Sequence, residues 1–210
     1  QKDFDAVYLG IGVGLARQLE IPGEELDGVE DAIKFIYDIR AKGFDKVAVG
    51  EKIAVIGMGM TAIDAATQAK RLGAKEVTMV YRRTENEKPC TQVELDISLL
   101  AFCTLLFLSS PPSLTFTYVK VNELVCSIMQ LGEPDASGRR SPIYTGETFS
   151  LDVDMVIKAA GQMPFEELVK NNSIENKNGK ITLIDKAATN IMGVFAGGDA
   201  VNGGKEVVDA

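Results

Sequence analysis

The chain has 210 residues, 46% of them hydrophobic, with 22 Lys and Arg against 30 Asp and Glu, a formal net charge of −8. That length fits one large domain or two small ones, and the acidic balance argues against a general nucleic-acid or anionic-membrane binder while leaving room for a local basic patch. With no histidine and three cysteines that form no C-x-x-C pair, the sequence excludes serine–histidine and cysteine–histidine catalysis and shows no zinc or iron–sulfur ligand set, so a reduced, cytoplasmic chain is the simple reading.

The first predicted element is a strand within Asp3 to Gly14, where Ala6-Val7-Tyr8-Leu9 runs into a glycine-rich turn. It has none of the features of a signal peptide. Opening in mid-sheet, it leads us to expect a piece of a longer protein. Ile21-Pro22-Gly23-Glu24-Glu25-Leu26-Asp27-Gly28 reads as a turn-rich connector. An amphipathic helix is predicted from Val29 to Lys42, acidic at Glu30 and Asp31, basic at Arg40 and Lys42, and closed by Gly43.

Lys52 to Arg83 reads as strand, tight turn, helix, strand. Ile53 to Ile56 is an apolar, β-branched run of the kind a buried parallel strand needs. Gly57-Met58-Gly59-Met60-Thr61-Ala62 then fits G-x-G-x-x-A, a form of the dinucleotide-binding fingerprint. Gly57 permits the turn, Gly59 leaves space for a pyrophosphate, and Ala62 lets the helix pack closely on the strand. The helix start presents free N–H groups to phosphate. Ala62, Ala65, Ala66 and Ala69 keep the helix slim, and Gly73 stands where a glycine ends a helix. The second strand, Val77 to Tyr81, is followed by Arg82 and Arg83 where an NAD site usually carries a carboxylate. Two guanidinium groups suit a 2′-phosphate, so NADP(H) is favoured over NAD(H).

Thr84 to Pro89 reads as a polar loop, Thr91 to Leu100 as a helix, and Thr104 to Leu108 as a third parallel strand broken by Ser109-Ser110-Pro111-Pro112. The longest apolar stretch, Ile97 to Leu108, is too short to cross a bilayer. Strand-like runs at Thr115 to Asn122, Leu124 to Leu131 and Glu147 to Asp152 predict an antiparallel meander, with Gly132 to Tyr144 as an exposed loop. Asp154 to Ala160 returns as a buried strand ended by Gly161. A short helix is expected at Pro164 to Asn172, a turn at Asn172 to Gly179 and a strand at Ile181 to Ile184. Gly193 to Ala200 delivers two glycines and the carboxylate of Asp199, and a further helix is expected from near Lys205.

The segments VIGMGMTAIDAATQAKRLGAKEVTMVYRR and GVFAGGDAVNGGKEVVDA resemble the flavin- and NADPH-dependent small (beta) subunit of glutamate synthase and, equally, the matching region of dihydropyrimidine dehydrogenase. IPGEELDGV resembles the connector between the two nucleotide domains of those proteins. The likeness covers nearly the whole chain and is weak between Leu99 and Gly146. It implies an α/β fold with a Rossmann-like parallel sheet and an antiparallel meander, flanked by pieces of an incomplete FAD domain. Residues 1–48 would end an FAD-domain strand and supply the connector. Residues 49–187 would bind NADP(H), and 188–210 would return to the FAD domain.

On the matching positions, the resemblance implies that Gly57, Gly59, Met60, Thr61 and Ala62 lie against the pyrophosphate. Arg82 and Arg83 would hold the 2′-phosphate, and Ala160 and Gly161 would let the nicotinamide half pass close to backbone. Gly198 and Asp199 would face the phosphate and ribityl region of FAD. Relatives usually carry Asn or Asp where Met60 stands, which removes a polar group beside the phosphates. They also carry Ala-Thr-Gly in place of Gly10-Ile11-Gly12. The family's first glycine fingerprint and its iron–sulfur segment have no counterpart here, so FAD is not expected to stay on this piece alone.

The activity implied is hydride transfer from NADPH to FAD, with no protein general acid or base required and no metal site. The partner implied is a large (alpha) subunit or a fused catalytic domain, without nucleic acid or membrane. A dihydropyrimidine dehydrogenase-type electron-entry unit and a non-catalytic nucleotide-binding or assembly module stand as alternatives. A thioredoxin-reductase-like enzyme is disfavoured by the missing C-x-x-C.

Overall fold

Residues 4–117, 120–136 and 138–204 are described in the computed structural model. Their contacts divide the chain into two units, one of residues up to 17 and from 162 onward, the other of residues 18–161. The first unit opens with β1 (Val7–Leu9) and β2 (Leu15–Ala16).

The second unit begins with β3 (Val29–Asp31), and α1 (Ala32–Lys42) follows directly. The predicted helix thus starts three residues late. Val29 to Asp31 pair in parallel with the strand at Val156–Lys158, and that edge pairing outweighs their helical periodicity. β4 (Lys52–Ile56), α2 (Met60–Arg71), β5 (Glu76–Val80), α3 (Gln92–Leu100) and β6 (Thr104–Leu106) continue the parallel alternation. A long antiparallel sheet comes next, of β7 (Ser109–Thr117), β8 (Lys120–Pro134) and β9 (Arg140–Asp152), and β10 (Met155–Lys158) then re-enters the parallel sheet.

The parallel sheet has the order β3-β10-β4-β5-β6, and its faces separate cleanly. Ile53 and Val55 of β4, Val77 and Met79 of β5, and Met155 and Ile157 of β10 pack with Phe35, Ile39 and the alanines of α2. Ala54, Ile56, Val80 and Val156 pack on the other face with Leu114, Val121, Leu124 and Cys126 of the antiparallel sheet. The unit is therefore three layers: helices, parallel sheet, antiparallel sheet. The strands are apolar in continuous runs because both faces are covered. Ala62, Ala65, Ala66 and Ala69 are fully buried; a larger side chain there would hold α2 off the sheet.

Two sequence expectations change in the meander. β6 ends at Leu106, ahead of Ser109–Pro112, but that segment is itself strand and opens β7 in the other sheet. β7 pairs only with β8, and a register shift between Ser110 and Ser113 accommodates the two prolines, which an edge strand tolerates. Gly132 to Tyr144 is not all loop, since β8 runs to Pro134 and β9 starts at Arg140, so most of it is a hairpin. Its polar composition reflects exposure, not absence of pairing.

The chain then completes the first unit. β11 (Gln162–Met163) pairs antiparallel with β2. α4 (Glu166–Asn171), the small hairpin of β12 (Asn176–Lys177) and β13 (Lys180–Ile181), β14 (Val194–Ala196) and the short α5 (Asp199–Asn202) follow. β14 lies parallel to β1, with Tyr8 opposite Phe195. Val169, Ile174, Ile181, Ala196 and Ala200 make this unit's own small core. The helix expected near Lys205 lies outside the described residues, as does Asp3.

Candidate functional site

Three of the predicted segments leave the carboxyl ends of adjacent parallel strands. Gly57 follows β4, Arg82 and Arg83 follow β5, and Ala160 and Gly161 follow β10. From β4 the chain moves by α2 to β5 on one side, while β10 lies on β4's other side. The strand order therefore reverses between β4 and β10, the point where open α/β sheets form a ligand crevice.

The glycines differ in their reasons. Gly57 has φ +137°, and a Cβ there would collide with the carbonyl oxygen of Ala159. Its N–H donates to Val80 O at 2.9 Å, so the turn is tied to β5 and pressed against the end of β10. Gly59 has an ordinary extended backbone, φ −87°, and the nearest atom to an added Cβ would be Pro89 Cγ at 3.9 Å. Neither backbone nor protein packing demands glycine at 59; the open space is what a close-approaching ligand uses.

Gly59 caps α2 without a side-chain hydrogen bond, and the first turn holds no acid. Ala62 and Ile63 N–H groups bond to Gly59 O, and no side chain caps the N–H groups of Met60 and Thr61. Met60, the first residue of α2, is 51% exposed. At the far end, Gly73 N–H meets Lys70 O and Ala74 N–H meets Ala69 O, a Schellman closure.

Arg82 is exposed and Arg83 half-buried, and among the described residues no carboxylate lies within ion-pair distance of either. Arg83 Nε is buried without a hydrogen-bond partner. An orphaned guanidinium nitrogen, an uncapped helix start and an unfilled glycine position together fit a phosphorylated dinucleotide. Ala160 and Gly161 are exposed, with nothing near a Cβ added at Gly161. Gly198 and Asp199 lie in the other unit, between β14 and α5. Gly198 adopts φ 66°, ψ −152°, a conformation open only to glycine.

Sequence reasoning missed two features of the crevice. Thr84 and Glu87 form a capping box around the 3-10 turn at Glu85–Glu87, and Tyr81 Oη donates to Glu87 O at 2.6 Å. The loop after the arginines is thereby folded back toward Gly59 through Pro89. The T-x-x-E spacing was the available signal, and it recurs at Thr91–Glu94, where it caps α3. The other feature is Lys158, a lone cation in an otherwise apolar strand, 7% exposed. Among the described residues no cluster of three or more potential metal ligands exists, and no helix is long and apolar enough to cross a membrane.

A strand-order reversal with a glycine turn and a helix start at its carboxyl edge is the arrangement of the dinucleotide-binding α/β folds. The fold of this chain is that of FAD- and NADPH-dependent pyridine nucleotide-disulphide oxidoreductases. Mycobacterium tuberculosis FprA in complex with NADPH superposes with a TM-score of 0.76 at 20% identity, over 98% of this chain and 60% of that one. Thioredoxin reductase of T. acidophilum gives 0.73 at 17% identity, over 95% and 58%.

Residues 1–96 match the pyridine nucleotide-disulphide oxidoreductase family. The chain is 34% identical to the NADP(+)-dependent formate dehydrogenase subunit beta of Moorella thermoacetica, over 100% of its own length and 30% of that protein. It is 31% identical to the glutamate synthase [NADPH] small chain of Escherichia coli (strain K12), over 99% of its length and 48% of that protein. Its homologues thus include the glutamate synthase small subunit and related NADPH-dependent oxidoreductase subunits, as the motifs implied. The chain spans 30% to 48% of the length of these two relatives.

Proposed function

We propose that this chain is the NADP(H)-binding portion of a flavin-dependent oxidoreductase in which hydride passes from NADPH to FAD. The observation that carries the reading is the meeting of Gly57–Ala62, Arg82–Arg83 and Ala160–Gly161 at one carboxyl edge, on both sides of the strand-order reversal. NADP(H), when bound, supplies the hydride at its nicotinamide ring. The uncapped N–H groups of Met60 and Thr61 bind the pyrophosphate at the positive end of α2. Gly59 admits it close to backbone, and Ala62 keeps α2 against the sheet. Arg82 and Arg83 grip the adenosine 2′-phosphate and orient that end. Ala160 and Gly161 leave the backbone bare where the nicotinamide half passes. No side chain needs to move a proton. Gly198 and Asp199 serve the FAD of the longer protein.

The partner in this reading is a large subunit or a fused catalytic domain, with glutamate synthase and a dihydropyrimidine dehydrogenase-type electron-entry unit as the two forms it takes, and the setting is cytoplasmic. A second reading, a nucleotide-binding or assembly module without turnover, is favoured by one residue: Met60 exposes a thioether where a polar group would serve phosphate.

Calorimetric titration tests the proposal. NADPH should bind saturably, and Arg82→Ala with Arg83→Ala should weaken it by about 2–4 kcal/mol through lost charge-assisted hydrogen bonds, leaving NADH nearly unchanged. Equal losses for both dinucleotides would refute the 2′-phosphate role. No saturation by either at millimolar concentration would favour the module.

A further inference from the structure

Among the described residues, Lys158 is the one buried cation, and the reading above leaves it without a task. It ends β10, and its Nζ donates to Gln18 Oε1 at 3.1 Å and Glu24 Oε1 at 2.9 Å. It also lies 3.1 Å from Asp31 Oδ1, an ion pair without hydrogen-bond direction. Glu24 is held in turn by the N–H groups of Leu19 and Glu20, both at 2.8 Å. All of these residues belong to the unit 18–161.

Three separate segments therefore converge on one ammonium: the stretch where the chain enters this unit, the turn-rich connector, and the end of β3. Such a cluster is a poor stability device. Desolvating the charges offsets most of their attraction, and well-packed apolar side chains would serve stability as well. What the charges do provide is a single arrangement, because any slip of the connector leaves one of them unpaired.

The residues fixed by that arrangement are informative. Immediately after Lys158 comes Ala159, whose carbonyl crowds Gly57 and whose N–H donates to Ile56 O at 2.9 Å. Then come the exposed Ala160 and Gly161. The arginines leave β5, on the opposite side of β4 from β10. Lys158 thus anchors one side of the crevice and not the other.

We propose that Lys158 is a positioning residue for the dinucleotide: through Gln18, Glu24 and Asp31 it holds Ala159–Gly161 against the Gly57 turn, so that the nicotinamide half of NADP(H) meets a backbone surface already formed. The inference rests on the dinucleotide reading of the crevice.

The test compares two ligands on the 210-residue chain by calorimetry. NADPH spans the crevice, whereas adenosine 2′,5′-bisphosphate carries the 2′-phosphate but no nicotinamide. Lys158→Met should weaken NADPH about tenfold, the order of loss when a pre-organised surface must be re-formed at each binding event, and leave the bisphosphate unchanged. Lys158→Arg, which keeps the charge, should restore most of the NADPH affinity. Should Lys158→Met not fold, Gln18→Leu removes a neutral partner only and should produce the same asymmetry at about threefold. Equal weakening of both ligands, or no change in either, overturns the positioning role. Failure of the unaltered chain to bind either ligand overturns the dinucleotide reading itself.

Discussion

Phe102 shows how a single residue can be badly suited to its place. It follows α3 at φ 60°, with its N–H on Leu99 O and the next N–H, that of Cys103, on Ser98 O. This is the closure that α2 makes with Gly73, but here a bulky residue occupies the left-handed position. The residue is 85% exposed, so packing offers little in return. Phe102→Gly should raise the denaturant midpoint by an amount equivalent to about 1 kcal/mol, because the left-handed strain is relieved and little packing is lost. The three cysteines are a contrasting case. Burial raises the Cys90 and Cys103 thiols, and pushes Cys126 up to about 12. A thiol reagent at about pH 8 should therefore label none of the three in the native chain and all three after unfolding. Prompt labelling of any one in the native chain would contradict the burial described above.

At the scale of elements, α2 decides the crevice. Its alanines set how near its positive end comes to the sheet edge, and Ala66 touches the core with no exposed surface. Ala66→Leu should cost about 1–3 kcal/mol by overpacking, and it should weaken NADPH and NADH alike because the helix end moves from both. This outcome differs from that of the arginine pair, whose loss discriminates between the two cofactors. The connector is the second deciding element. Burial alone would raise Glu24, but the Leu19 N–H, Lys158 and the Glu20 N–H outweigh it and hold the carboxyl below its ordinary 4.5. Burial likewise opposes the charge of Lys158, yet Glu24 and Asp31 raise it above 10.5. A carboxyl lowered by folding stabilises above its unfolded pKa and loses that contribution as pH falls through the folded value. An ammonium raised by folding stabilises below its unfolded pKa and loses that contribution as pH rises through the folded value. Both groups therefore stay charged across the whole neutral range, and the arrangement changes only at the pH extremes. Glu24→Gln should flatten the fall in denaturant midpoint below about pH 4.5, compared with the unaltered chain. An unchanged acid limb would show that Glu24 gains nothing on folding.

For the whole molecule, binding and stability are linked. If NADP(H) binds only the folded chain, a concentration about a hundredfold above its Kd should stabilise the protein by about 2.7 kcal/mol, visible as a concentration-dependent rise in Tm. NADH at the same concentration should raise it less. Two units sharing one chain give this experiment further value. A ligand-dependent shift confined to one of two resolved transitions would assign the site to the unit of residues 18–161, which holds the crevice. A shift of the other transition alone would count against the crevice as the site.

The sequence by itself determined the α/β alternation, the glycine turn, the slim helix and the arginine pair. Each is written in neighbouring residues, where apolar period, backbone freedom and charge act over a few positions. It also carried the resemblance to NADPH-dependent flavoproteins through two short motifs. Only the tertiary structure decided that Val29–Asp31 is an edge strand, that two prolines sit inside β7, and that Gly132–Tyr144 is mostly a hairpin. At Val29–Asp31 a partner far along the chain, Val156–Lys158, outweighs local preference, and in the other two cases pairing with the neighbouring strand does so. Lys158 is the clearest case. Its strand reads as one more apolar run, and its carboxylate partners stand more than a hundred residues earlier, in what reads as a connector and a helix start. Burial and long-range pairing are collective properties, so the cluster becomes visible only when the chain has closed on itself.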